Sequence, residues 1–142
     1  MASGDYQGTY SAEQVIVTVG GVIVSGFTDG DFITASFSED RYSAKAGADG
    51  EVARSKTASR MGTVEIVLAH TSAANAELSD LFKLSLIGGT DAPVDISVAD
   101  LSGTGLVTAS TAWLLTAPDF VRGMEVSDCT WVIQCADMSF SY

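Results

Sequence analysis

Residues 31–70 read DFITASFSEDRYSAKAGADGEVARSKTASRMGTVEIVLAH, and the build of the whole chain turns on them. The stretch opens and closes on strand patterns. Over Asp31 to Asp40, Ile33, Ala35 and Phe37 alternate with Thr34, Ser36 and Ser38; over Thr63 to His70, Val64, Ile66 and Leu68 alternate with Glu65, Val67 and Ala69. A period of two places each apolar set on one face of a half-buried strand. Between the strands, residues 41–60 hold Arg41, Lys45, Arg54, Lys56 and Arg60, five of the seven basic side chains in the chain. Only Asp49 and Glu51 oppose them, which leaves +3 on this segment and −14 on the other 122 residues. Tyr42 and Val52 are its only large apolar side chains, too few for a core of its own. The chain reads as an acidic body with one basic arm, tipped at Gly47-Ala-Asp-Gly50. An arm opposite in sign to its own body points to docking on another copy of the same protein.

Outward from this stretch, strand patterns continue. Gln14 to Val19 is rich in β-branched residues, with Val15, Val17 and Val19 on one face, and Gly20-Gly21 permits a tight turn into Val22 to Val24. Strands are expected again over Val94 to Ala99, Gly105 to Leu115 and Asp128 to Tyr142, with Ala117-Pro118-Asp119 as a turn between the last two. The one helix pattern is Ser72 to Leu86, where Leu78, Leu81, Phe82 and Leu86 recur at helical spacing. Ser72 or Asn75 can cap its start, and Gly88-Gly89 ends it. Ser11-Ala-Glu-Gln14 matches a capping box, but the β-branched run behind it favours a strand. The expected architecture is mostly β: one domain over residues 1–142, a sandwich or barrel with one packed helix at about 72–86 and a long extended loop at about 41–60.

Composition excludes several functions. Carboxylates outnumber cations 18 to 7, for a net charge of −11, whereas affinity for duplex DNA comes largely from lysine and arginine neutralising phosphates. A passive relation to DNA, in which a surface avoids sticking to it, remains compatible with that charge. The most apolar stretch, Val15 to Phe27, is broken by Thr18, three glycines and Ser25, and is shorter than the roughly 20 residues of a membrane span. MASGDYQGTY lacks the basic start and apolar run of a signal peptide. Cys129 and Cys135 fall in one strand-like run, roughly 20 Å apart if extended, too far for a disulfide and too far to share a metal. Free buried thiols are expected.

The inventory for catalysis is thin. His70 is the only histidine, and a strand-end histidine satisfied by a backbone group is the expected reading. No nucleophile elbow, phosphate loop or zinc pattern is present. Asp29-Gly-Asp31 and Asp49-Gly-Glu51 set oxygen ligands around glycines but do not fit calcium-loop spacing, so turn chemistry is expected at both. Trp113 and Trp131 are expected in the core. More telling are the polar strand faces: Thr34, Ser36 and Ser38; Asp95, Ser97 and Ala99; Leu106, Thr108, Ser110 and Ala112. They carry short hydroxyls and a carboxylate with no lysine or arginine, although ordinary solvent faces usually mix in both signs.

VTVGGVIVSGFTDGDFI (Val17 to Ile33) followed by GADGEVAR (Gly47 to Arg54) resembles the small tail-tube proteins of contractile-tailed bacteriophages. TSAANAELS (Thr71 to Ser79), DLSG (Asp100 to Gly103) and AWLLTAPD (Ala112 to Asp119) are similar too, so the likeness runs over nearly the whole chain. The resemblance implies a β-sandwich or barrel with a flanking helix. It also implies six copies in a ring, rings stacked into a hollow tube, and a long loop between two early strands that reaches the adjacent ring. Carried onto this sequence, the inter-ring contacts would be Arg41, Tyr42, Lys45, Asp49, Glu51, Arg54, Lys56 and Arg60. The lumen candidates would be Thr34, Ser36, Ser38, Asp95, Ser97, Thr108 and Ser110. Implied partners are further copies of the chain, tail sheath, baseplate and tail-terminator proteins, with DNA passing through the lumen unbound and no membrane. The implied place is the virion tail, assembled in the host cytoplasm, with no cofactor and no enzymatic activity. The alternatives are a tube subunit of a phage-derived injection device and a capsid-decorating protein. More distant are a small β-barrel enzyme and a calcium-binding module.

Overall fold

The computed structural model describes residues 12–87, 93–101 and 105–141. Ala12–Gln14 form a short 3-10 turn, and the strands follow as β1 (Val15–Val19), β2 (Val22–Val24), β3 (Ile33–Phe37), β4 (Tyr42–Ala46), β5 (Val52–Lys56) and β6 (Gly62–Ala69). After the helix α1 (Ala74–Ile87) come β7 (Val94–Asp100), β8 (Leu106–Thr116), β9 (Asp128–Cys135) and β10 (Met138–Ser141). The expected glycine stop at Gly88-Gly89, Ser11, Tyr142 and the side chain of Leu86 lie outside the described residues. The protein is mostly β with one helix among the described residues, and β4 and β5 stand apart as a two-stranded sheet.

The other strands form one antiparallel sheet in the order β2-β1-β7-β8-β9-β6-β3, with β10 also paired to β8. This sheet does not close into a barrel, but it wraps. Phe27, just beyond edge strand β2, bridges Leu68 of β6 near the opposite edge, and the Phe37 ring of β3 lies 4.8 Å from the Phe140 ring of β10. The concave face is filled by Val17 and Val19 of β1, Val64, Ile66 and Leu68 of β6, Ile96 of β7 and Ile133 of β9. Each side chain of this kind contributes about 1.5–3 kcal/mol when fully buried. Helix α1 caps the core with Ala74, Leu78 and Phe82; Phe82 stacks 6.3 Å from Trp131. Ser72 caps the helix, its hydroxyl accepting from the Ala74 amide at 3.2 Å. Gly20 and Gly21 turn β1 into β2 with φ of 55° and 87°, the two positive values that a two-residue hairpin turn requires.

Two expectations are corrected, and one irregularity explains both. Val94 of β7 pairs with Ala112, but Ile96 pairs with Ala109, so β8 carries an extra residue between them. A bulge of one residue exchanges the faces of everything beyond it. Ala112, expected outside, is fully buried, and Trp113, expected inside, is 40% exposed on the convex face. The run from Asp128 to the C-terminus likewise breaks into β9 and β10. Cys135 and Met138 are both fully buried yet three apart, which one continuous strand cannot satisfy. The Ala136 amide donates to Thr111 O at 2.9 Å, so the break in one strand sits on the bulge of the other.

Candidate assembly surfaces

The basic arm is a hairpin. Tyr42 pairs with Lys56, Ala44 with Arg54 and Ala46 with Val52. The Gly47 amide donates to Glu51 O at 2.7 Å to close the tip, where Gly50 takes a φ of 86° that favours glycine. Asp49 is spent on the turn, its carboxylate accepting from the Glu51 amide at 3.3 Å. At the root, the Thr57 amide donates to Arg41 O at 2.7 Å. The main ladder between β3 and β6 ends with the bond from Ser38 N to Met61 O at 2.9 Å. The arm therefore prolongs the β3–β6 pair beyond the body. All ten residues of β4 and β5 are exposed. A lone two-stranded hairpin is marginally stable in water.

Its two faces differ. Alternation puts Tyr42, Ala44, Ala46, Val52, Arg54 and Lys56 on one side, and Ser43, Lys45, Ala53 and Ser55 on the other. The first face combines apolar surface with two cations, and the Arg54 guanidinium lies 4.5 Å over the Tyr42 ring. Arg41, Lys56 and Arg60 line a groove at the arm's root together with Glu39.

The polar strand faces lie on the convex side of the main sheet. Asp95, Ser97, Thr108 and Ser110 are brought together over β7 and β8, joined by Ser139, Asp137 and Arg60 in one shallow groove. Ser97 is paired across the ladder with Thr108, and Thr108 with Ser139. Thr34 and Ser36 sit at the far edge beside Glu65 and Thr63, and Ser38 lies just past the end of β3. None of the eight strands of the main sheet carries a lysine or an arginine.

The residues weighed for chemistry hold structural posts. His70 and Ser127 exchange two bonds: His70 N donates to Ser127 O, and Ser127 N donates to His70 Nδ1, each at 2.9 Å. The strand-end histidine is thus satisfied by backbone, as its position predicts. Both cysteines are free; Cys129 is half-buried and Cys135 fully so, and burial pushes the Cys135 thiol up to about 11. Among the described residues, no three His, Cys, Asp or Glu side chains gather into a group able to hold a metal. No helix among them is long and apolar enough to cross a membrane.

Two surfaces escaped the sequence. One is the segment between β8 and β9, where Phe120 is 84% exposed and Met124 fully so, with Val121 and Val126 also exposed. Arg122 folds back on it, its guanidinium 4.2 Å from the Phe120 ring. The other is a cleft of about 650 Å³ between β3 and the β1–β7–β8 face, rimmed by Asp29, Asp31 and Asp100. Its walls come from five separate stretches of chain, so no local pattern announces it.

The same fold recurs in solved structures. A chain of the extracellular contractile injection system PVC sheath–tube complex in its extended state matches with a TM-score of 0.65 at 13% identity, over 93% of this chain and 90% of that one. A chain of the PVC sheath/tube terminator in the extended state gives 0.63 at 14% identity, over 97% and 99%. A chain of the anti-feeding prophage cap, which terminates its tube, gives 0.59 at 14% identity, over 98% and 95%. No curated protein matches the sequence. A family model described as Bacteriophage PhiTE tail tube protein matches residues 8–141. The chain belongs to that family: it is a structural tube subunit of a phage tail and not an enzyme.

Proposed function

We propose that six copies close into a ring, that rings stack into a hollow tube through the basic arm, and that the genome passes down the lumen during ejection. The observation that carries this reading is the hairpin of β4 and β5, which leaves every one of its ten strand residues exposed. Arg41, Lys45, Arg54, Lys56 and Arg60 then pair with carboxylates of the neighbouring ring, with Tyr42, Asp49 and Glu51 in the same contact. A heterologous contact of arm onto body either closes a ring or propagates a filament, and stacked rings do both.

The lumen wall is the convex face that carries Thr34, Ser36, Ser38, Asp95, Ser97, Thr108 and Ser110. A surface of short hydroxyls and carboxylates whose strands carry no lysine or arginine, with Arg60 as the one cation lining its groove, offers a polyanion little to adhere to. Pairing of edge strands β2 and β3 with neighbours in the ring would also cover edges that are otherwise open to aggregation. A sheath around the tube, a terminator at one end and a baseplate at the other complete the assembly; the similar solved structures include a sheath–tube complex and a tube terminator.

Electron microscopy of the purified protein tests the reading, and stacked six-fold rings are the expected image. Removal of Ser43 to Thr57 should leave a folded chain that forms no tubes. Tubes of normal length from that variant would refute the role of the arm. A tube subunit of an injection device has the same architecture with a different cargo, and nuclease-protected DNA inside native particles distinguishes the genome conduit.

A further inference from the structure

We propose that the receptor for the arm is the acid-rimmed cleft of a second copy, entered by the Tyr42–Val52 face of the hairpin. This inference rests on the reading of the arm as an inter-ring contact and names where on the body it lands.

Chemistry on both sides is matched. The cleft floor is apolar, built from Val15, Ile33, Val98, Val107 and Phe140, and its rim bears Asp29, Asp31 and Asp100 with no lysine or arginine in the lining. The hairpin face offers the complement: Tyr42, Ala44, Ala46 and Val52 as apolar surface, with Arg54 and Lys56 at its margin. Tyr42 is 43% exposed and Val52 70%, so both have apolar area to give up on docking. Two other grooves do not suit. The groove at the arm's root carries Arg41, Lys56 and Arg60, and the groove over β7, β8 and β10 carries Arg60, so both already hold cations of the arm's sign.

Position argues the same way. Strand β3 joins the two parts: Ile33 at its start lines the cleft, and Phe37 at its end lines the root of the arm. The four residue steps between them span roughly 13 Å. The arm leaves from one end of β3, while the cleft's Asp29–Asp31 rim sits at the other. A plug and a socket at opposite ends of one strand make a head-to-tail contact, which repeats without limit along the strand direction.

The test is a charge exchange read by pelleting and electron microscopy of the full-length chain. R54E/K56E and D29K/D31K should each abolish pelletable tubes, and the four substitutions combined should restore them. Asp29, Asp31, Arg54 and Lys56 are all exposed, and melting curves verify that each variant folds. If D29K/D31K forms tubes as the unaltered chain does, the cleft is not the receptor, while loss of tubes in R54E/K56E alone would still uphold the arm. If neither pair matters, both readings fall. A second readout needs no loss of function. Leu106 also lines the cleft and is 40% exposed, so with V52C and L106C in one chain oxidation of assembled tubes should give a ladder of covalent multimers, and monomer alone would overturn the proposal. The rival occupant is residues 1–11 of the same chain. If the thiol introduced by L106C is shielded from thiol reagents in the separated subunit and uncovered by removal of those residues, the proposal is also overturned.

Discussion

The indole N–H of Trp131 donates to Asn75 Oδ1 at 3.0 Å, and through this bond the helix is fixed to the sheet. Trp131 is 5% exposed on β9, and Asn75 lies in the first turn of α1. The Asn75 amide also donates to Ala69 O at 2.9 Å, so one side chain ties the helix start to both β6 and β9. Asn75→Ala strips the partner from a buried indole N–H and should cost about 1–3 kcal/mol of stability. Chemical denaturation followed by tryptophan fluorescence checks this. Asn75→Asp, which keeps the acceptor for Trp131 and loses the donor to Ala69, should cost less.

Gly62 is pinned between two elements. A Cβ there would collide with Met138 Cε and meet Ser36 O at 2.9 Å. The methionine end can move aside, but the backbone carbonyl of β3 cannot without breaking its ladder. Gly62→Ala should therefore destabilise by about 1–3 kcal/mol, the usual cost of overpacking. Adding Met138→Ala should not recover the loss, because the carbonyl contact remains and a cavity opens. Thermal melts of the single and double variants measure both effects.

Cys135 makes stability fall in alkali. Burial raises its folded-state value from 9.0 to about 11, so between those limits the unfolded chain gives up a proton that the folded chain retains. The unfolded state binds fewer protons there, and stability declines as pH rises from about 9 and levels off past about 11. Cys135→Ala should remove this component from a series of melts at rising pH. At about pH 8, a thiol reagent should modify half-buried Cys129 first and reach Cys135 only on unfolding.

Assembly should weaken with salt. The arm's cations begin as exposed charges, and screening shortens their reach to about 8 Å at physiological ionic strength and about 3 Å at 1 M. Light scattering at rising sodium chloride should show slower growth of tubes, with melting of the separated subunit little changed. Growth insensitive to salt would make the contact apolar in origin.

Where the sequence was legible, the reason was unbroken alternation. Val64, Ile66 and Leu68 point inward as their spacing requires, and so do Ile33, Ala35 and Phe37. The helix begins two residues after its expected start because Ser72 serves as the cap and not as a helical residue. Reading failed where a single extra residue in β8 exchanged the posts of Ala112 and Trp113, since local pattern carries no sign of a bulge until the partner strand is known. The slip from Cys135 to Met138 was visible in principle, as two apolar residues three apart in a strand of period two. The arm was legible from charge alone. The cleft was not, because Val15, Ile33, Val98 and Phe140 meet only after folding.

The confinement of cations to the arm, the helix and one loop has a proteolytic meaning. Trypsin cuts after lysine and arginine, and the main sheet offers it no site in any strand. All seven cations are exposed, five of them within residues 41–60. In the separated subunit, early nicks should fall in that stretch and leave two fragments held together by the ladder of β3 and β6. Inside a tube the same bonds should be shielded by the next copy. The protein thus carries a built-in footprint of its own polymerisation, readable on a gel as the survival of the full-length band.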